Sequence, residues 1–265
     1  MRRFPLDRLA VEHAPANSVG VGLLRRLWGL RLDYFPLANG RTAEEDWFEF
    51  SSYFQRHDRD VVLFRRGSEV VGFFVNSHDL VEAQGREAVL VSIEYAYMRP
   101  AYRGRPEWIL AGFRLYLSLL VRHPRTAIYY VSFVFANSFA FLTASFGRVF
   151  TLQESPPPFE RQLLEWYGQH AGGARWDGVR GVARYRNLPP EVTDREQKPA
   201  HIQALLGRFE RIDPTWRDGD AIVLLAPADA RALASTVRRV LSRTRSGRSG
   251  RRAPQPSVTV EVHHA

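Results

Sequence analysis

At 265 residues and 30.4 kDa the chain can bury a substantial core, and its 45% hydrophobic and 12% aromatic content places it among folded globular proteins. It contains no cysteine, which excludes disulfides, thiolate metal sites and cysteine nucleophiles. The net charge of +9 gathers at one end: Arg238 to Arg252 holds seven arginines and no acid, while residues 1–237 are nearly balanced, so the folded part does not read as a nucleic-acid surface.

No run approaches the roughly 18 apolar residues of a membrane span. The start, MRRFPLDRLAVEHAPANS, lacks the apolar core of a signal peptide, so a cytoplasmic chain is expected. One domain is expected over residues 1–245, with a core at 61–150 and an elaborated C-terminal half at 151–245. An arginine-rich tail at 246–265, poor in apolar residues, is expected to be disordered.

Residues 1–16 read as an irregular or short helical arm. Asn17 and Ser18 can cap a helix carrying Val21, Leu24, Leu27, Trp28 and Leu32 at three- and four-residue steps. Thr42-Ala43-Glu44-Glu45 is a capping-box pattern opening a second helix with Trp47, Phe48 and Phe50 to Phe54 on its apolar face. Val61–Phe64 and Val70–Val75 are strand-like around an Arg66-Gly67-Ser68 hairpin turn, and a separate extended piece spans Leu80–Ala83.

The stretch from Glu87 to Arg105, EAVLVSIEYAYMRPAYRGR, organises the rest. Alternation places Val89, Val91, Ile93, Tyr95 and Tyr97 on one bulky face. Leu90, Ser92, Glu94, Ala96 and Met98 lie on a smaller, more polar one that leaves room beside a carboxylate. Pro100 ends the strand, an arginine-rich loop follows, and Pro106 suits a first helical position because its missing N–H costs nothing there. Strand, basic loop and helix N-terminus together make an anion site.

The helix of Glu107–Arg122 is apolar nearly all round, so it is buried on most sides or covered by another subunit, as in a homodimer. Ala127–Phe135 reads as a strand covered on both faces and Asn137–Phe146 as a short helix. Further on, helices are expected at Phe159–His170, Ala200–Arg211 and about Ala228–Arg243, and final strands at Val179–Tyr185 and Ala221–Ala226.

The run MRPAYRGR, the apolar helix, the apolar strand, then Asn137, Ala140 and Phe146-Gly147 resemble the core of the GCN5-related N-acetyltransferase superfamily over Val61–Phe150. That resemblance implies a mixed α/β fold, a central mixed sheet flanked by helices, with insertions in its C-terminal half. It implies acyl transfer from acetyl-CoA, a longer acyl-CoA or an acyl-carrier-protein thioester to an amine, with no metal. By the same resemblance, the strand backbone near Met98 holds the pantetheine, and Arg99, Arg103, Gly104 and Arg105, with Asn137, belong to the thioester site. Glu94 accepts the amine proton through water; otherwise it pairs with an arginine across the sheet.

Two departures stand against the family pattern. Aligned on Arg103, the two small-residue positions of the phosphate loop are Pro106 and Trp108. Proline lacks an N–H, and tryptophan obstructs close approach of backbone to ligand. The position of the usual proton-donating tyrosine after Asn137 is Ala144, which leaves the acid unassigned, with Tyr95, Tyr97, Tyr129 and Tyr130 as substitutes or core residues. Ser77-His78-Asp79 has the residue types of a hydrolytic triad, but adjacent strand side chains alternate in direction and cannot form the relay. Two alternatives therefore stand beside acyl transfer. One is a catalytically degenerate binding or regulatory relative; the other is a protein whose tail contacts nucleic-acid phosphates or an anionic membrane surface.

Overall fold

The hairpin at Arg66-Gly67-Ser68 forms because Gly67 takes a φ of 59°, turning β2 (Arg59–Arg66) back into β3 (Glu69–Ala83). It belongs to a computed structural model that describes residues 8–33, 37, 42–56, 58–103, 105–184 and 195–229. Gly104, the tail at 246–265 and all but the start of the helix expected at 228–243 lie outside those residues.

The piece expected at Leu80–Ala83 is the end of β3, which continues unbroken to a tight turn at Gln84-Gly85, φ 49° and 69°, and returns as β4 (Arg86–Met98). β5 (Ala127–Val134) lies parallel to β4, and β8 (Asp220–Pro227) lies antiparallel to β5. At the ends are β1 (Ala10–Pro15), paired with β2, and the short β6 (Trp176–Asp177) and β7 (Val182–Arg184). The strand order is β1-β2-β3-β4-β5-β8-β7-β6, a mixed, mostly antiparallel sheet in an α+β fold.

Helices cover both faces. On one face α1 (Val21–Leu32) and α2 (Ala43–Phe54) pack Leu24, Leu27, Phe50 and Phe54 onto Val61, Leu63, Phe73 and Val75. Each such fully buried phenylalanine contributes about 1.5–3 kcal/mol of burial free energy. Beside them α5 (Pro158–Gly172) packs Leu163, Leu164 and Tyr167 onto Val81, Leu90, Val131 and Val223. On the opposite face lie α3 (Pro106–Arg122), α4 (Ala136–Phe146) and α6 (Ala200–Ile212). No helix among the described residues is long and apolar enough to cross a membrane.

Three expectations are corrected. The arm at 1–16 contains β1, a mostly exposed AVEHAP segment whose alanines, proline and charged or polar residues carry little strand signal and whose form comes from pairing with β2. Gly20, rather than Asn17 or Ser18, is the N-cap of α1, because residues 16–18 form a separate 3-10 turn. The strand expected at Val179–Tyr185 forms only as β7, Val182–Arg184: its first residues are a hairpin turn in which Asp177 accepts from Arg180 N and Gly181 N, with Val179 fully exposed at the tip, and Tyr185 lies outside the described residues.

Candidate functional site

The site starts from an irregularity in β4. Phe74 faces Ala96 and Asn76 faces Ile93, so Glu94 and Tyr95 together oppose Val75, a one-residue bulge. A bulge reverses the alternation, so the two faces read from sequence do not run the length of the strand. Val89, Val91 and Ile93 pack on the α3 side, but Tyr95 and Tyr97 pack with Phe50 and Phe73 on the α1–α2 side. Glu94 stays on that second side, above Ser92.

The bulge coincides with a parting of strands. The parallel ladder runs from Ala88↔Ala127 to Ser92↔Val131 and stops, although β4 continues to Met98 and β5 to Val134. β5 follows β8, pairing with it as far as Val134↔Ile222, while β4 stays with β3. Across the mouth Ser132 Oγ approaches the Ile93 carbonyl at 3.5 Å. Because β4 and β5 are parallel, the helices that follow them, α3 and α4, begin at the same edge of the sheet. Their positive dipole ends flank the opening.

The two helix starts differ. α3 carries Glu107 in its first turn, whose Oε1 accepts from Leu9 N at 3.3 Å, so a carboxylate already occupies that dipole end. α4 has no acid in its first turn, and Asn137 is exposed there. Trp108 stacks on Phe64 at 5.0 Å and meets Phe74 edge-on at 5.2 Å, so its bulk fills the core.

In the loop, Arg99 is ion-paired with Glu69, Arg103 Nε donates to the Met98 carbonyl at 3.0 Å, and Arg105 lies 5.5 Å from the Tyr102 ring. Met98 itself is buried under α3. Of the strand tyrosines weighed as acids, Tyr95 and Tyr97 are in the α1–α2 core. Tyr129 donates to Glu160 at 3.1 Å, and Tyr130 stacks on Phe146.

Glu94 does pair with an arginine across the sheet. Arg59 Nη2 lies 3.4 Å from both of its oxygens, and Ser92 Oγ donates at 3.2 Å. Arg59 is 5% exposed at its side chain, lies 4.0 Å over the Tyr53 ring and also contacts Asp58 at 3.1 Å. Burial pulls the Arg59 pKa down, but Glu94, Tyr53 and Asp58 outweigh it and raise it. The Tyr53 hydroxyl is buried without a hydrogen-bond partner. Burial first, and the Glu94 field second, push its pKa far up, so it keeps its proton.

The polar strip continues along the same face. Ser77 and Ser92, both buried, share a 2.7 Å hydrogen bond, and Asp79 follows opposite Leu90, within the field of His170 on α5. Ser77 and Asp79 share this face while His78 turns to the other, where its Nδ1 is buried without a partner. Tyr53, Arg59 and His170 escaped sequence reasoning, which weighed Ser77 and Asp79 only as parts of a rejected triad. Each is an ordinary residue in its own element, and only the β2–β3–β4 register gathers them. Among the described residues no group of three or more His, Cys, Asp or Glu could hold a metal ion.

No protein-family profile matches the chain. No curated protein matches it either. Among solved structures, it is similar to the aminoglycoside N-acetyltransferase AAC(6')-Iy in complex with CoA, at 15% identity and TM-score 0.32 over 42% of this chain and 70% of that one. It is also similar to a ribosomal-protein-alanine N-acetyltransferase from Brucella melitensis, at 14% identity and TM-score 0.32 over 45% and 77%. Escherichia coli ElaA is a third, at 12% identity and TM-score 0.36 over 54% and 88%.

Proposed function

We propose that the chain transfers an acyl group from a CoA or carrier-protein thioester to an amine. The observation that carries this reading is the parting of β4 and β5 beyond Ser92↔Val131, with a bulged strand edge on one side and two helix N-termini at the mouth. A strand edge without a ladder partner offers backbone N–H and C=O groups to an extended, amide-containing arm, as pantetheine is.

The thioester, when bound, supplies an acyl carbon activated toward amines. On the phosphate side, the open α4 N-terminus with Asn137, together with Arg103 and Arg105, offers donors and positive charge. Arg99 joins them only by giving up Glu69. Gly104 completes the loop in sequence. On the acceptor side the strip from Glu94 to Asp79 presents carboxylates to an incoming ammonium, with Glu94 at the lip of the gap.

Isothermal titration of acetyl-CoA and a long-chain acyl-CoA into the full chain tests the reading. Binding of either, weakened by about 1.5–3 kcal/mol in Arg103→Ala, is expected if that guanidinium pairs with phosphate. No heat with either thioester or with an acyl carrier protein would refute it.

A further inference from the structure

Asp79 stands apart from the other carboxylate of the polar strip, Glu94, which is ion-paired. It is half-buried on β3, and it makes no hydrogen bond or ion pair with any described residue. Its neighbours are otherwise engaged: Glu94 with Arg59 and Ser92, Ser77 with Ser92, and His170 stacked on Trp166 at 4.7 Å. A carboxylate withdrawn from water with no donor nearby is unfavourable unless it takes up a proton or a cation.

Its place is equally specific. Asp79 faces Leu90, on the same side as Ser92, the last β4 residue still laddered to β5. It therefore lies one strand over from the gap and two residues short of its closed end, on the face opposite α3 and α4, the side from which an amine would reach a thioester carbon across the sheet. We infer that Asp79 binds the acceptor as an ammonium and removes its proton, while Glu94 is a positioning residue that holds Arg59 and the lip of the gap. This inference rests on the acyl-transfer reading.

Four charged or titratable groups act on Asp79: Asp58 just before β2, Arg59 from β2, Glu94 from β4 and His170 from α5. Burial, helped by Asp58 and Glu94 and opposed by His170 and Arg59, raises its pKa above the ordinary carboxylate value, which moves a weak base toward a useful one. In the step itself the Asp79 carboxylate takes one proton from the ammonium. The freed lone pair forms the C–N bond, the C–S bond breaks, and the second nitrogen proton passes to the thiolate. Asp79 then returns its proton to solvent.

Two measurements on the full chain decide the matter. In the first, thiol release from acetyl-CoA with n-butylamine or 1,4-diaminobutane is followed from about pH 6 to about pH 9 for wild type, Asp79→Asn and Glu94→Gln. Asp79→Asn is expected to lower kcat/KM about 100-fold or more and to abolish the acidic limb, with the acetyl-CoA Kd unchanged within about twofold. Glu94→Gln keeps that limb. An Asp79→Asn enzyme that retains turnover and limb would overturn the assignment.

The second measurement needs no turnover. Carbodiimide coupling of glycine ethyl ester, mapped by peptide mass, labels carboxyls that the reagent can reach and that are not held in an ion pair. Asp79 is expected to react, Glu94 to be spared, and n-butylammonium to slow the Asp79 reaction by about threefold or more. An unreactive Asp79, or one indifferent to the amine, sinks the inference whether or not acetyl-CoA binds. Failure of the acyl-transfer reading is seen separately, in the acetyl-CoA titration alone.

Discussion

Replacing Glu94 by glutamine keeps the shape of the side chain and removes the charge that faces Arg59. Arg59 then stays buried at 5% side-chain exposure with Asp58 as its remaining carboxylate, itself 37% exposed, and the Tyr53 ring at 4.0 Å. Stripping one partner from a fully buried pair costs about 3–5 kcal/mol. Three features reduce that figure. Glu94 is 21% exposed, its contacts to Arg59 are long at 3.4 Å, and the Asp58 contact at 3.1 Å survives. The expected loss is about 1–2 kcal/mol, or about 3–8 °C in Tm for a chain of this size. The assay is urea or thermal unfolding of Glu94→Gln, Arg59→Met and the double variant. Their cycle should return a coupling of about 1 kcal/mol. A coupling within about 0.3 kcal/mol of zero, with an unchanged Tm, would refute the view that this pair holds the lip of the gap.

Two further outcomes follow from other parts of the chain. A Cβ on Gly168 would come within 2.5 Å of three Trp176 ring atoms, so Gly168→Ala should cost about 1–3 kcal/mol in thermal unfolding, and an unshifted Tm would mean that α5 and β6 are not held in contact. Burial raises the Glu154 pKa, but the paired Arg208 hydrogen bonds, at 2.8 and 2.6 Å, and Thr151 outweigh it and hold it below the ordinary value. Its stabilising contribution is thus present above the unfolded-state pKa and lost as pH falls through the lowered one. Arg208→Gln should flatten the acid limb of stability against pH, and an unaltered limb would show that the pair contributes nothing.

Much of the fold was legible because local chemistry and tertiary structure agree. The capping box at Thr42 forms as read, Thr42 Oγ1 accepting from Glu45 N at 3.2 Å and Glu45 Oε2 from Thr42 N at 2.9 Å. It opens a helix that buries Phe50 and Phe54 on one face, while Phe48, expected beside them, is 73% exposed. Pro106 stands at the first turn of α3, and the all-apolar run at Ala127 becomes an interior strand. What failed were places where pairing overrides composition. β1 is short and mostly exposed, and it exists because β2 offers it an edge. Asp46, which composition did not single out, is 3% exposed and binds Trp28 and Arg31, locking α2 to α1.

The site was less legible for a single physical reason. An alternating strand tells which residues share a face only while the alternation is unbroken, and nothing in VSIEYAY marks the inserted residue at Glu94-Tyr95. Read as a regular strand, Tyr95 falls with Ile93, and Glu94 looks like a lone carboxylate among small residues. With the bulge in place Tyr95 turns over to meet Tyr53 at 4.6 Å, Glu94 comes within reach of Arg59, and the β4 edge beyond Ser92 has lost its parallel partner. The same irregularity therefore opens the gap and engages the carboxylate that sequence reasoning had chosen as the base. A base that is already ion-paired must break that pair to take a proton, whereas Asp79, on the neighbouring strand, has none to break among the described residues. The division of labour between the two acids thus follows from where the sheet is irregular and where it is not.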